Sequence, residues 1–128
     1  MAVDKNMRIL VVDDYATMRR IIKNLLKQLG FDNTYEAADG TEALRKVQEK
    51  PFDLIISDWH MEPMTGLELL KRVRADEKTR NLPLILVTAE SKPENVLAAK
   101  QAGVSNYIVK PFNADTLKTK MSSVIGAF

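Results

Sequence analysis

Five short apolar runs, each followed by a segment whose apolar residues recur at helical spacing, predict an α/β domain with a parallel sheet and helices on both of its faces. The strongest runs are built from Val, Ile and Leu without polar alternation, the pattern of strands buried on both sides. The five prolines all fall outside the predicted strand and helix interiors, so none of them interrupts this alternation.

The first strand is Ile9-Leu10-Val11-Val12, β-branched and ending abruptly at Asp13-Asp14. In the segment after it, Met18, Ile21, Ile22, Leu25, Leu26 and Leu29 form an apolar helix face. Arg19, Arg20, Lys23 and Lys27 take the opposite face, which reads as solvated, and Gly30 stops the helix. A weaker strand, Thr34-Tyr35-Glu36-Ala37-Ala38, is followed by a turn at Asp39-Gly40 and a helix carrying Ala43, Leu44 and Val47, closed before Pro51. The third strand, Phe52 to Ser57, ends at Asp58, and a long connection leads to a helix with Leu67, Leu70 and Val73. The fourth, Leu84-Ile85-Leu86-Val87, ends at Thr88. Pro93 then opens a helix whose apolar stripe is Val96, Leu97, Ala99 and Ala102, with Gly103 as its stop. The fifth strand, Asn106-Tyr107-Ile108-Val109, leads into Lys110-Pro111 and a last helix carrying Ala114, Leu117, Met121, Val124 and Ile125.

A chain of 128 residues is near the size of one domain, and residues 1–128 are expected to form one. A formal charge of +2 is too small to indicate a nucleic-acid partner, which requires a concentrated basic surface. Without cysteine there is no disulfide framework, thiol catalysis or thiolate metal site. The segment from Met1 to Asn6 lacks the apolar core of a secretory signal, and no apolar run approaches the ~20 residues that cross a bilayer. The expectation is a cytoplasmic protein, not inserted in a membrane and monomeric. Met18, Met64 and Met121 are expected to pack apolar surface.

In an open parallel sheet, ligands bind beyond the carboxyl ends of the strands. Asp13 and Asp14 follow the first strand, Asp58 the third, Thr88 the fourth and Lys110 the fifth, so one rim receives three carboxylates, a hydroxyl and an ammonium. Singly, these residues have structural explanations: an aspartate caps a helix or turn, a threonine closes a turn, a lysine is solvated. Chance is a poor account of four strand ends delivering polar groups to one edge. Carboxylates held close together repel, which calls for a proton or a cation; Mg2+ suits an all-oxygen site completed by phosphate oxygens. Asp58 then has the surroundings of a carboxylate nucleophile in phosphoryl transfer, with Lys110 and Thr88 contacting phosphoryl oxygens.

Asp13-Asp14, Asp58, Thr88-Ala89 and Lys110-Pro111-Phe112, on successive strand–helix units, resemble the receiver domain of bacterial response regulators over nearly the whole chain. Asp58-Trp59, Thr17-Met18-Arg19-Arg20, Thr88-Ala89-Glu90 and Tyr107 are similar to the single-domain chemotaxis members of that family. The resemblance implies a doubly wound, flavodoxin-like sheet in the order 2-1-3-4-5 with five helices. It implies that Asp58 takes a phosphoryl group from a phosphohistidine on a histidine kinase. Asp13, Asp14, Asp58 and the backbone carbonyl of His60 would hold one Mg2+; Thr88 and Tyr107 would be the switch pair; His60 and Glu90 would tune phosphate lifetime. Trp59, beside the acceptor, is expected to be half-exposed. One position departs from the family pattern: Glu62 stands where a proline is usual, with Pro63 next and the pattern restored at Gly66.

By the same resemblance, the output surface is the face of the fourth helix, fifth strand and fifth helix, with Lys92, Val96, Lys100, Tyr107, Val109 and Lys120 as partner-binding candidates. The implied partner is a flagellar motor switch protein or another phospho-dependent target, with a phosphatase as a further candidate. The alternative is a phosphorelay intermediate that passes its phosphoryl group to a histidine phosphotransfer domain. No separate effector domain and no turnover of an external substrate are expected. An aspartate-nucleophile phosphatase of the haloacid dehalogenase type wants a second aspartate two residues after the nucleophile, where this chain has His60. Neither GxGxxG nor GxxxxGK[ST] is present.

Overall fold

The structure, a computed structural model, describes residues 3–89 and 92–128. Its strands are β1 (Ile9–Val12), β2 (Thr34–Ala37), β3 (Leu54–Asp58), β4 (Leu84–Thr88) and β5 (Asn106–Val109). They alternate with helices α1 (Ala16–Gln28), α2 (Gly40–Glu49), α3 (Gly66–Ala75), α4 (Pro93–Gln101) and α5 (Ala114–Ile125). The five strands form one parallel sheet in the order β2-β1-β3-β4-β5. This is the expected order, with the direction of winding reversing between β1 and β3.

Burial on both faces explains why the strands are apolar throughout. Every residue of β1, β3 and β4 is buried. On one face Leu10, Val12, Ile55, Leu84 and Leu86 pack with Ala43 and Val47 of α2, Leu69, Leu70 and Val73 of α3 and Ala99 of α4. On the other, Ile9, Val11, Leu54, Ile56, Ile85, Val87 and Ile108 meet Ile22 and Leu26 of α1 and Leu117 and Met121 of α5. Burying each of the Val, Leu, Ile and Met side chains stabilises by about 1.5–3 kcal/mol.

Local chemistry sets the helix starts. Asp39, Thr65 and Asn113 each accept a hydrogen bond from the N–H three residues on, at Glu42, Glu68 and Thr116. The turn expected at Asp39-Gly40 is therefore the cap of α2. Three features differ from the sequence reading. β2 ends at Ala37 rather than Ala38. β3 begins at Leu54 rather than Phe52, because Asp53 spends one carboxylate oxygen on the Arg8 N–H. In α4 the expected stripe does not all face the sheet: Ala99 is buried, while Leu97 points out at 56% exposure. Among the described residues no helix is long and apolar enough to cross a membrane.

Candidate functional site

Strand register brings the polar rim together. Val12 is paired with Ser57, so the next residues, Asp13 and Asp58, leave the sheet side by side at its reversal point. Asp58 is opposite Val87, and Thr88 opposite Val109, which places Thr88 and Lys110 one step beyond on the neighbouring strands. The main chain is tied at this level too. Trp59 donates its N–H to Val87 O at 2.9 Å, and Lys110 to Thr88 O at 2.8 Å.

Asp13, Asp14 and Asp58 each offer a carboxylate oxygen, and these oxygens all lie within 4.8 Å of one another. Lys110 Nζ is 3.1 Å from Asp58 Oδ1 and 3.9 Å from Asp13 Oδ2. Asp13 and Asp58 are buried, Thr88 is buried beside them, and Asp14 is exposed. Burial pushes the Asp13 carboxyl up to about 6; the Tyr15 N–H opposes the rise, the Asp58 carboxylate adds to it, and Lys110 again opposes it. Asp13 Oδ1 accepts from the Tyr15 N–H at 2.9 Å, whereas Oδ2 is buried and has no hydrogen bond. One lysine facing three carboxylates leaves a negative excess, and the orphaned buried oxygen fits coordination to a divalent cation. All donors are oxygens, which suits magnesium better than a softer metal.

The loop from Trp59 to Thr65 folds back onto the end of β3. The Gly66 N–H donates to Trp59 O at 2.9 Å. A Cβ at Gly66 would lie 2.2 Å from Asp58 O, so only glycine permits this approach. Glu62 and Pro63 are joined by a cis peptide bond, as are Lys110 and Pro111. Met64 packs over Gly40 at the start of α2. Exposed His60 and Glu62 line a cleft of about 410 Å³ with Asp14, Met61 and Thr65, so the His60 side chain lies near the triad.

The family model described as the response regulator receiver domain matches residues 9–122. The chain belongs to that family. It is 54% identical over 121 residues to the chemotaxis protein CheY-3 of Vibrio cholerae serotype O1, covering 94% of this chain and 93% of that protein. It is also 54% identical over 118 residues to the chemotaxis protein CheY of Pseudomonas aeruginosa, covering 92% and 95%. Among solved structures, Vibrio cholerae CheY4 superposes with a TM-score of 0.86 at 38% identity, over 93% of this chain and 98% of that one. The receiver domain of a sensor histidine kinase from Pseudomonas aeruginosa PAO1, described with a magnesium ion coordinated in its active site cleft, gives 0.85 at 29%, over 95% and 99%.

Within this receiver fold, the residues expected at the rim do meet: Asp13, Asp14 and Asp58 cluster, Lys110 reaches Asp58 and Asp13, and Thr88 lies on the adjoining strand end. Tyr107 lies one strand further out, half-buried against the core, with Lys120 Nζ 5.2 Å from its ring centre. Trp59 is half-buried, as expected. Glu90 lies outside the described residues. Of the other expected partner-binding residues, Lys92, Lys100 and Val109 are exposed and Val96 and Lys120 are partly so. Arg19 corrects the reading of the basic α1 face. Its Nε donates to Glu36 Oε1 at 2.9 Å and its Nη1 to Asp13 O at 2.6 Å, while Lys23 Nζ lies 3.2 Å from Glu36 Oε2. Register makes the contact possible: Glu36 sits in the strand paired with β1, two residues short of the level of Asp13.

Proposed function

We propose that this chain is a phosphorylation-activated chemotaxis response regulator, in which Asp58 accepts a phosphoryl group from a phosphohistidine on a histidine kinase. The observation that carries the reading is the Lys110 ammonium 3.1 Å from Asp58, set beside a buried Asp13 oxygen that has no hydrogen bond. An Asp58 carboxylate oxygen attacks phosphorus; an O–P bond forms, the P–N bond breaks, and its electron pair leaves with the imidazole nitrogen. Positioning and charge neutralisation account for most of the catalysis of such a transfer. Lys110 neutralises charge on the phosphoryl oxygens, and the Thr88 hydroxyl donates to one of them. Asp13, Asp14, Asp58 and the His60 main-chain carbonyl are the groups that would hold Mg2+, which supplies further neutralisation when bound. His60 and Glu90 bear on how long the phosphoryl group survives. No external substrate is turned over.

The phosphoryl group adds about two negative charges at one point. It biases Thr88 and Tyr107 toward the arrangement in which Thr88 moves to the phosphate and Tyr107 turns inward. The partner surface is then the α4–β5–α5 face, which carries exposed Leu97 and Val109 together with Lys92, Lys100 and Lys120. Exposed apolar and basic side chains on these elements suit an acidic amphipathic helix, as a flagellar motor switch protein would present in the cytoplasm.

The test is intact mass after incubation with Mg2+ and acetyl phosphate. A single phosphoryl adduct on the wild type, absent from Asp58→Asn, is expected; an adduct on both, or on neither, overturns the assignment. Binding of a motor-switch peptide only by the phosphorylated form supports the output role. Rapid return of the phosphoryl group to a histidine phosphotransfer domain, with no peptide binding, makes the chain a relay.

A further inference from the structure

Four polar atoms of Asp13 are available for anchoring, and three are used. Its N–H donates to Ala37 O at 3.1 Å, Oδ1 accepts from Tyr15, and its carbonyl accepts from Arg19 Nη1 at 2.6 Å. Only Oδ2, which faces Lys110, has no hydrogen bond. The Arg19 contact is the one made by a side chain, and that side chain is itself seated. Its Nε bonds Glu36 on the edge strand β2, and the side chain is 17% exposed. Glu36 is held below the usual carboxylate range chiefly by the Arg19 hydrogen bond, then by Lys23, so it stays ionised at neutral pH. One guanidinium thus ties α1 and β2 to the peptide that begins the acidic turn.

We propose that Arg19, seated on Glu36, is a positioning residue for the metal site, fixing the main chain at Asp13 so that Asp13 Oδ2 and Asp14 stay directed into the triad. The inference rests on the reading of the triad as a magnesium site. Its sign separates it from simple electrostatics. A cation at Arg19 repels a divalent ion, so removing its charge should tighten magnesium binding if charge were all that mattered. Loss of positioning works the other way, because groups that orient metal ligands typically contribute about 10–100-fold in affinity. Lysine keeps the charge but cannot span both acceptors.

The experiment is magnesium titration of the purified chain by calorimetry and Trp59 fluorescence, with circular dichroism to verify folding. Arg19→Lys and Arg19→Met should both raise the Kd by about tenfold or more. Lys23→Met, which removes the other cation on Glu36 without touching Asp13, should stay within about twofold, since its charge is solvent-screened. Equal affinity in Arg19→Lys and wild type, or tighter binding in Arg19→Met, overturns the proposal. Should Arg19→Met not fold, Arg19→Lys decides alone. A wild type that binds no magnesium is a distinct result, which removes the metal reading itself.

Discussion

Asp13 shows how burial and repulsion at one residue prepare a site for a cation. In the folded chain its carboxyl holds a proton up to a pH of about 6, against an ordinary value of 3.8. Between those two values the folded state binds more protons than the unfolded state, so stability falls as pH rises through the window, and the cost is complete above it. In EDTA at pH 7.5, Asp13→Asn should therefore be more stable than wild type, by up to about 3 kcal/mol in urea unfolding. The gap should close as pH falls toward 4. Saturating magnesium should narrow it from the other side, because ion binding stabilises only the chain that keeps the ligand. Equal stability of the two proteins at pH 7.5 in EDTA would contradict this account. The site carboxylates and Lys110 were legible in the sequence because each follows an apolar run that ends at one rim. Arg19 was not, because a basic residue that reaches a carboxylate on another element has the same local pattern as one that reaches water.

At the scale of elements, hydrophobic period and breakers located the five strands and five helices, since burial on two faces leaves a run of Val, Ile and Leu that little else produces. The same reasoning misplaced Leu97. With nine residues, α4 has apolar positions at 96, 97, 98 and 99, which cover more than one face, and packing chose Ala99. The loop after β3 was legible only through Gly66, the position where the family pattern resumes after Glu62. Its reason is steric: a methyl group there would collide with Asp58 O at 2.2 Å and come within 2.9 Å of Leu86 Cδ2. Neither the strand nor the start of α3 can retreat without disturbing the core. Gly66→Ala should cost about 3 kcal/mol, at the upper end for overpacking. Because that loop carries Trp59, the emission spectrum of the variant should shift even without metal. A fully stable variant with wild-type emission would show that the contact relaxes freely.

For the molecule as a whole, hydrophobic spacing allowed several strand orders, and the order 2-1-3-4-5 came from resemblance. That order divides tasks between the two ends of the sheet. Chemistry collects at the carboxyl ends of the strands, while the opposite end is closed by an aromatic cluster that no periodicity indicates. Phe31, just before β2, and Phe128, after α5, meet edge to face at 5.0 Å. Lys5, before β1, sets its ammonium 4.6 Å and 4.3 Å from the two ring centres and donates to Leu29 O at 2.6 Å. Three distant segments are joined there, with Phe31 fully buried beneath. Removing the outer ring by Phe128→Ala deletes the edge-to-face contact and one wall of the ammonium site. It should destabilise by about 2–3 kcal/mol, below the loss at a fully buried phenylalanine because Phe128 is partly exposed. The magnesium Kd should be unchanged, since substitutions far apart and without shared partners act independently. Urea unfolding and magnesium titration of the same variant test both halves; a weakened ion affinity would mean that the two ends of the sheet are coupled.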